Sequence, residues 1–366
     1  MAVGLPLKTT YADGDVYSAS DVNDTNGTIN LLQTSTLSNS GGKNFIINGG
    51  FDNWQRSTSA TFSTPLIYPA ADRWWGFTLG STCTMSRQTA DTAGLQYGMR
   101  FGRNSGQTNT GTVYVETVLE TNDTFRLAGR TITFSFYAKA GANASLTALT
   151  PVIYTGTGTD QGAVALFSGG WTGGAFAYNT PQTVTTTMTR YSITVTLAST
   201  VREVTIGFTY TPTGTAGANE WYQIEGVQVE YGSYATTFSR AGGTIQGELA
   251  ACQRYYYRTS ASGANYIFGL AQCYGTTTGG AVIPLPVPMR ISPTALEQSG
   301  TANHYQAYSS SGAALALTSV PTFAAVVTSQ FQAAVNFTVG SGLTGGNVTQ
   351  FTAANSSAFL GWSAEL

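Results

Sequence analysis

Five stretches of the chain, 112–119, 131–138, 190–197, 203–210 and 221–230, alternate apolar and polar residues with a period of two. Successive side chains on a strand point to opposite faces, so this period predicts half-buried antiparallel strands. Gly, Asn and Thr turns separate such runs from Lys43 to about Arg240, and no internal helix stands out there. Two sheets packed face to face are the expected architecture, a jelly-roll β-sandwich over 43–240. The stretch 244–258 reads as helical, with Ile245, Leu249 and Cys252 spaced for one face, and 241–254 becomes a connector helix. Short strands return over 255–366. The run 330–339 alternates cleanly, and the Pro-rich 282–293 predicts an edge or extended segment. The expected class is all-β: a jelly roll followed by a smaller β-sandwich. No fixed period recurs along the chain, which argues against a solenoid or propeller.

The first 42 residues have a different pattern, polar and loose, ending in a Ser/Gly/Asn-rich linker at Gly41-Gly42. Ser20 or Asp21 is placed to cap a short helix on which Val22, Ile29 and Leu32 fall at heptad-compatible positions. One weak stripe interrupted by Gly27 does not hold an isolated helix, so 1–42 reads as an extended or short-helical attachment arm that needs copies of itself or a neighbour to pack against.

Composition narrows the function. Only 9% of the 366 residues are charged, so the surface is built from hydroxyls and amides, while 42% hydrophobic content argues for folded β-structure rather than disorder. A net charge of −2 leaves no basic excess for phosphates and disfavours a nucleic-acid partner. No apolar run is long enough for a membrane span, and Met1-Ala-Val-Gly-Leu-Pro does not read as a secretory signal. Cys83, Cys252 and Cys273 are too few and scattered for a disulfide framework or a zinc site; they read as free buried thiols made in a reducing cytosol, although Cys252 and Cys273 fall in one predicted module where a pair is open to them.

Catalytic chemistry finds little to work with. The single histidine, His304, lies in a polar stretch without a Ser/His/Asp constellation around it. Glycosidic hydrolysis needs two carboxylates, which brings Asp52, Asp72, Glu116, Glu120, Glu220, Glu225 and Glu230 into consideration. Glu225 and Glu230 are an odd number of residues apart and fall on opposite faces of a regular strand, and structural salt bridges or exposed strand positions are favoured over catalysis. The Gly-rich pieces at 102–106 and 156–158 lack a phosphate-loop ending and read as turns. No cofactor is implied, and no metal: jelly rolls often hold a structural calcium, but no spacing here specifies one. Trp54, Trp74 and Trp75 lie beside Asp, Asn and Arg, the composition of a platform that stacks on a sugar ring while polar groups meet its hydroxyls. The same tryptophans fit a sandwich core or a subunit interface, and adjacent Trp74 and Trp75 face opposite ways on a strand. Tyr255-Tyr256-Tyr257 carries the same two readings, with interface packing favoured.

The run Asn44-Phe-Ile-Ile-Asn-Gly-Gly-Phe-Asp-Asn-Trp-Gln-Arg resembles the opening strand of bacteriophage tail-fibre and minor virion structural proteins, and of carbohydrate-binding jelly rolls. Ala71-Asp-Arg-Trp and 224–238 are similar to later pieces of the same phage module. The stretch 248–257 and Pro288-Met-Arg-Ile-Ser-Pro-Thr are similar to segments C-terminal to that module in phage virion proteins. The resemblance implies a non-enzymatic fibre subunit of a virion, made in the host cytoplasm and often trimeric. Its arm, 1–42, would dock on a tail or capsid protein while the β-modules meet a host-surface carbohydrate. A structural head-fibre, decoration or collar role is the alternative, and a polysaccharide depolymerase a remote one.

Overall fold

A computed structural model describes residues 44–64, 67–142, 144 and 148–366; the proposed arm lies outside the described residues. In chain order the first module holds β1 (Ser59–Phe62), β2 (Trp75–Thr78), β3 (Cys83–Thr89), β4 (Tyr97–Arg103), β5 (Val113–Val118) and the short helix α1 (Thr121–Thr124). It continues with β6 (Thr131–Ala140), β7 (Ala148–Gly156), helix α2 (Ala163–Ser168), β8 (Ala175–Tyr178), β9 (Gln182–Thr183), β10 (Thr189–Thr196), β11 (Glu203–Tyr210) and β12 (Tyr222–Tyr231).

One sheet runs β1-β3-β4-β12-β6-β10 and the other β2-β5-β11-β7-β8, with β9 pairing on β7. If the eight strands from β4 on are counted with β8 and β9 as one, the sheets read 1-8-3-6 and 2-7-4-5. This is a jelly roll, with β1, β2 and β3 added at the edges. Alternation places Val113, Val115, Phe134, Phe136, Ile206 and Phe208 between the sheets. All five alternating runs of the sequence are strands. What periodicity missed are the helices α1 and α2, each too short to show a 3.6-residue repeat.

The opening run from Asn44 is not a ladder strand. It is a series of turns stitched to β12, with the Phe45 amide donating to the Val229 carbonyl at 2.9 Å and the Val227 amide to the Gly49 carbonyl at 2.8 Å. Asn44 and Asn48 supply further bonds. Asn44 donates from Nδ2 to the Val227 and Ser239 carbonyls and accepts from the Ile46 and Val229 amides. Asn48 donates to the Asn53 and Asp72 carbonyls and accepts the Asn53 amide.

Helix α3 (Ile245–Gln253), capped by the Thr244 side chain, leads into the second module. Its buried face differs from the expected one: Ile245 and Leu249 are exposed, and Glu248 and Cys252 are buried. The Glu248 carboxylate accepts the Asn48 and Gly242 amides at 2.5 and 2.7 Å, which fixes the helix against the opening turns. The second module begins with β13 (Tyr256–Ser260), β14 (Ile267–Cys273), β15 (Thr278–Pro284), β16 (Glu297–Gln298) and β17 (Tyr305–Tyr308). After them come β18 (Ala314–Ala316), β19 (Thr322–Phe323), β20 (Gln332–Thr338), β21 (Val348–Ala353) and β22 (Phe359–Ser363). A three-stranded sheet, β13-β22-β16, covers a seven-stranded one, β18-β17-β21-β14-β15-β20-β19, around a separate core that includes Phe337, Phe351, Leu360 and Trp362. The Pro-rich run is not at an edge. Its first three residues complete β15 inside the large sheet, with Pro284 as the last paired residue, and 285–293 run on outside any strand, in keeping with the extended reading. Every strand pairing among the described residues is antiparallel.

Candidate functional site

The second sheet of the jelly roll turns one face to the core and the other outward, and its register sets the outward rows. Tyr114 and Glu116 of β5 sit opposite Thr209 and Gly207 of β11, which sit opposite Thr150 and Val152 of β7. The 157–174 excursion between β7 and β8 folds back over part of this face as α2. Phe167 packs 4.5 Å from Phe77 and edge-on to Tyr114 at 5.1 Å, centroid to centroid. Phe176 of β8 stands edge-on to Tyr154 at 4.8 Å and is 57% exposed. Between these two aromatic pairs lies a groove of about 330 Å³, bordered also by Thr112, Thr150, Thr209 and Asn179.

Glu116 is the one carboxylate among the lining residues. Its floor position depends on a glycine, since a Cβ on Gly207 would come within 2.4 Å of the Glu116 Cγ. The Thr205 hydroxyl donates to Glu116 Oε2 at 2.9 Å. Burial pushes the Glu116 carboxyl up to about 7, against a smaller opposing effect of the Thr205 bond. Burial likewise raises the Tyr114 phenol. Near neutral pH the floor therefore offers a group that donates or accepts, within walls of ring faces and a rim of hydroxyls and one amide. That chemistry matches a sugar, whose C–H face stacks on rings while its hydroxyls seek polar partners.

The expected tryptophan platform is not what lines this groove. Trp74 is fully buried in the sandwich core against Phe51 and Phe208. Trp75 does face the opposite way, onto the outer side of the sheet, but Phe167 lies edge-on over it at 5.6 Å and it too is fully buried. Trp54 is half-buried beside the core and donates its indole N–H to the Phe51 carbonyl at 2.6 Å. None of the three shares the groove with Tyr114 and Phe176. The residues that do form it were within reach of the sequence. Tyr114 and Glu116 are the outward positions of the alternating run 112–119, but nothing local to that run reveals which face a later excursion will roof.

The other acids are tied to the scaffold. Arg240 pairs with Asp52 at 2.6 Å, Arg103 with Glu220 at 2.5 Å and Arg254 with Glu120 at 3.0 Å. Asp72 accepts the backbone amide and side-chain amide of Gln55. Glu225 and Glu230 share a face, contrary to the regular-strand expectation, because a bulge at Gly226, with φ +56°, shifts the register of β12 by one. Each then pins a loop: Glu225 accepts the Asp91 and Thr92 amides, and Glu230 the Thr236 amide and hydroxyl. His304 is held to the Ser299 hydroxyl at 2.9 Å, and the three cysteines are free and buried. Among the described residues, no cluster of His, Cys, Asp and Glu has the geometry of a metal site, and no helix is long and apolar enough to cross a membrane.

The tyrosine triplet joins the two modules. Arg73 lies 3.5 Å over the Tyr255 ring and Arg56 3.5 Å over Tyr256, while Tyr257 stacks on Trp362 at 6.2 Å. Arg73 and Arg56 both pair with Glu365.

No family model matches the chain, and no curated protein matches its sequence. Similar solved structures include a carbohydrate-binding module of the β-sandwich superfamily, at 14% identity and TM-score 0.31, covering 43% of this chain and 57% of that one. A putative sugar-binding protein from Bacteroides thetaiotaomicron VPI-5482 overlaps at 13% identity and TM-score 0.35, covering 52% and 100%. The enzymatically active domain of tailspike protein 4 of bacteriophage CBA120 does so at 13% identity and TM-score 0.31, covering 52% of this chain and 21% of that one.

Proposed function

We propose that the first module binds a neutral glycan in the groove between Tyr114 and Phe176, and that the chain is a fibre-type subunit of a bacteriophage particle which presents this groove to a host surface. The observation that carries the reading is the groove itself: exposed ring faces, a hydroxyl rim and a single polar floor group on a rigid sheet. One carboxylate suits binding better than hydrolysis, which generally requires two facing the scissile bond. The virion assignment draws on the sequence resemblance and on the order of arm, linker and sandwich, with 1–42 as the anchor to a tail or capsid protein.

Titration calorimetry of the full chain against a panel of neutral β-linked hexasaccharides tests the binding. At least one is expected to bind, with affinity falling about tenfold in Tyr114→Ala and in Phe176→Ala. A panel without a binder, or affinities indifferent to both substitutions, would overturn the assignment.

One further observation favours the alternative, a purely structural virion role. Residues 259–364 carry only two ionic groups, Arg290 and Glu297. The outer face of the seven-stranded sheet exposes Leu270, Val282 and Val348, a surface suited to packing copies together. Immunogold labelling separates the roles: label on the tail tip supports receptor contact, and label confined to the capsid supports the structural one.

A further inference from the structure

A second surface of the first module has different chemistry from the groove. Where α1 ends, the chain turns through Phe125, Arg126 and Arg130, and this turn meets the end of β12 at Tyr231 around an open depression of about 690 Å³. The Tyr231 phenol donates to the Arg126 carbonyl at 3.0 Å and its ring stands edge-on to Phe45 at 5.1 Å, so the shelf is anchored from below. Arg202 lies 4.7 Å from the Phe125 ring centroid, and Arg126 5.2 Å from that of Phe45. Phe125 is nevertheless 58% exposed, an unusual position for a phenylalanine.

Charge gathers here: seven of the thirteen arginines make no ion pair among the described residues, and three of those seven meet at this shelf. The chain carries a net charge of −2, and six of its thirteen arginines, Arg56, Arg73, Arg103, Arg240, Arg254 and Arg290, are paired with carboxylates. Arg126, Arg130 and Arg202 are all exposed, and none makes an ion pair among the described residues. Arg126, which also feels the nearby Asp123, and Arg130 border the depression with Phe125 and Tyr231, while Arg202 lies over one side of the Phe125 ring; together they set two demands on a ligand: a planar anionic group for the arginine forks and an apolar ring face for Phe125 or Tyr231. A free phosphate meets only the first, and a neutral sugar only the second.

We infer that this shelf is a second binding site, for an acidic saccharide whose carboxylate is held by Arg126 and Arg130 while its pyranose face lies on Phe125. Single-stranded nucleic acid combines the same chemistries, but it requires a cationic track along several phosphates. A single depression with one exposed phenylalanine fits one acidic sugar unit and its neighbour.

The full chain is titrated with trigalacturonic acid, neutral galactotriose, inorganic phosphate and a thymidine oligonucleotide. Trigalacturonic acid is expected to bind, with affinity falling as salt rises. Arg126→Gln combined with Arg130→Gln should weaken it about tenfold, and Phe125→Ala should weaken trigalacturonate while leaving any phosphate binding unchanged. All three residues are exposed, so unchanged thermal unfolding of the variants confirms that the fold is intact. Tyr114→Ala in the groove should leave trigalacturonate binding unaltered, so the two sites stand or fall separately. The inference is overturned if trigalacturonate does not bind, if the arginine variant binds it equally well, or if Tyr114→Ala abolishes its binding. Phosphate binding as tightly as trigalacturonate, or a preference for the oligonucleotide, would overturn it as well.

Discussion

Glu116 shows how a single side chain couples the site to stability. Its carboxyl titrates near 7 in the fold against about 4.3 in an unfolded chain, so the native state holds a proton there that the unfolded state has lost. Stability from this group is present below the unfolded value and is lost as pH rises toward 7. Asp72, pushed by burial up to about 6 against the opposing bonds from Gln55, adds to the same slope. Glu116→Gln should therefore raise the unfolding free energy at pH 8 by about 3–4 kcal/mol and change it little at pH 4, as chemical denaturation at the two pH values would report. Beside it, Gly207→Ala would set a Cβ 2.4 Å from both the Glu116 Cα and the Val115 carbonyl oxygen, backbone atoms that no side-chain rotation clears, so it is expected to destabilise the fold by about 2 kcal/mol or more, seen as an earlier transition in chemical denaturation.

At the scale of the element, period-two alternation was enough to place the strands that carry Tyr114, Glu116 and Thr209, because each half-buried strand writes its two faces into neighbouring residues. Three features escaped that logic for identifiable reasons. The bulge at Gly226 brought Glu225 and Glu230 to one face, and a lone glycine within an alternating run does not announce a change of register. In α3 the apolar spacing of Ile245 and Leu249 misled, because backbone amides of the opening turns drew Glu248 inward instead. The neighbours of the tryptophans suggest a platform, yet Trp75 is covered by Phe167, more than ninety positions away. The opening turns tolerate substitution poorly: a Cβ on Gly49 would lie 2.0 Å from the Val227 carbonyl oxygen. Gly49→Ala is expected to cost about 2 kcal/mol or more, read as a lower midpoint in denaturant titration.

For the molecule as a whole, the two sandwiches meet across a polar seam rather than an oily one. Gln55 donates to the Tyr256 carbonyl at 2.7 Å, Arg258 to the Arg56 carbonyl at 2.6 Å and Tyr68 to the Leu366 carbonyl at 2.9 Å, around the charges of Arg73, Arg56 and Glu365. Removing one partner of a buried pair leaves the other uncompensated, at a typical cost of about 3–5 kcal/mol. Glu365→Gln is accordingly expected to split a single calorimetric unfolding transition into two, one for each core; a variant that still unfolds in one step would show that the cores stay coupled without Glu365.

The near absence of ionic groups from 259–364 has a physical consequence of its own. An exterior built almost wholly of amides, hydroxyls, rings and aliphatic carbons, with Arg290 and Glu297 as its two ionic groups, gathers almost no counterion cloud. Whatever rests against the seven-stranded sheet should hold equally well in dilute buffer and in brine, whereas the arginine shelf of the first module should let go as salt rises. One chain thus carries a contact deaf to its surroundings and another that listens to them.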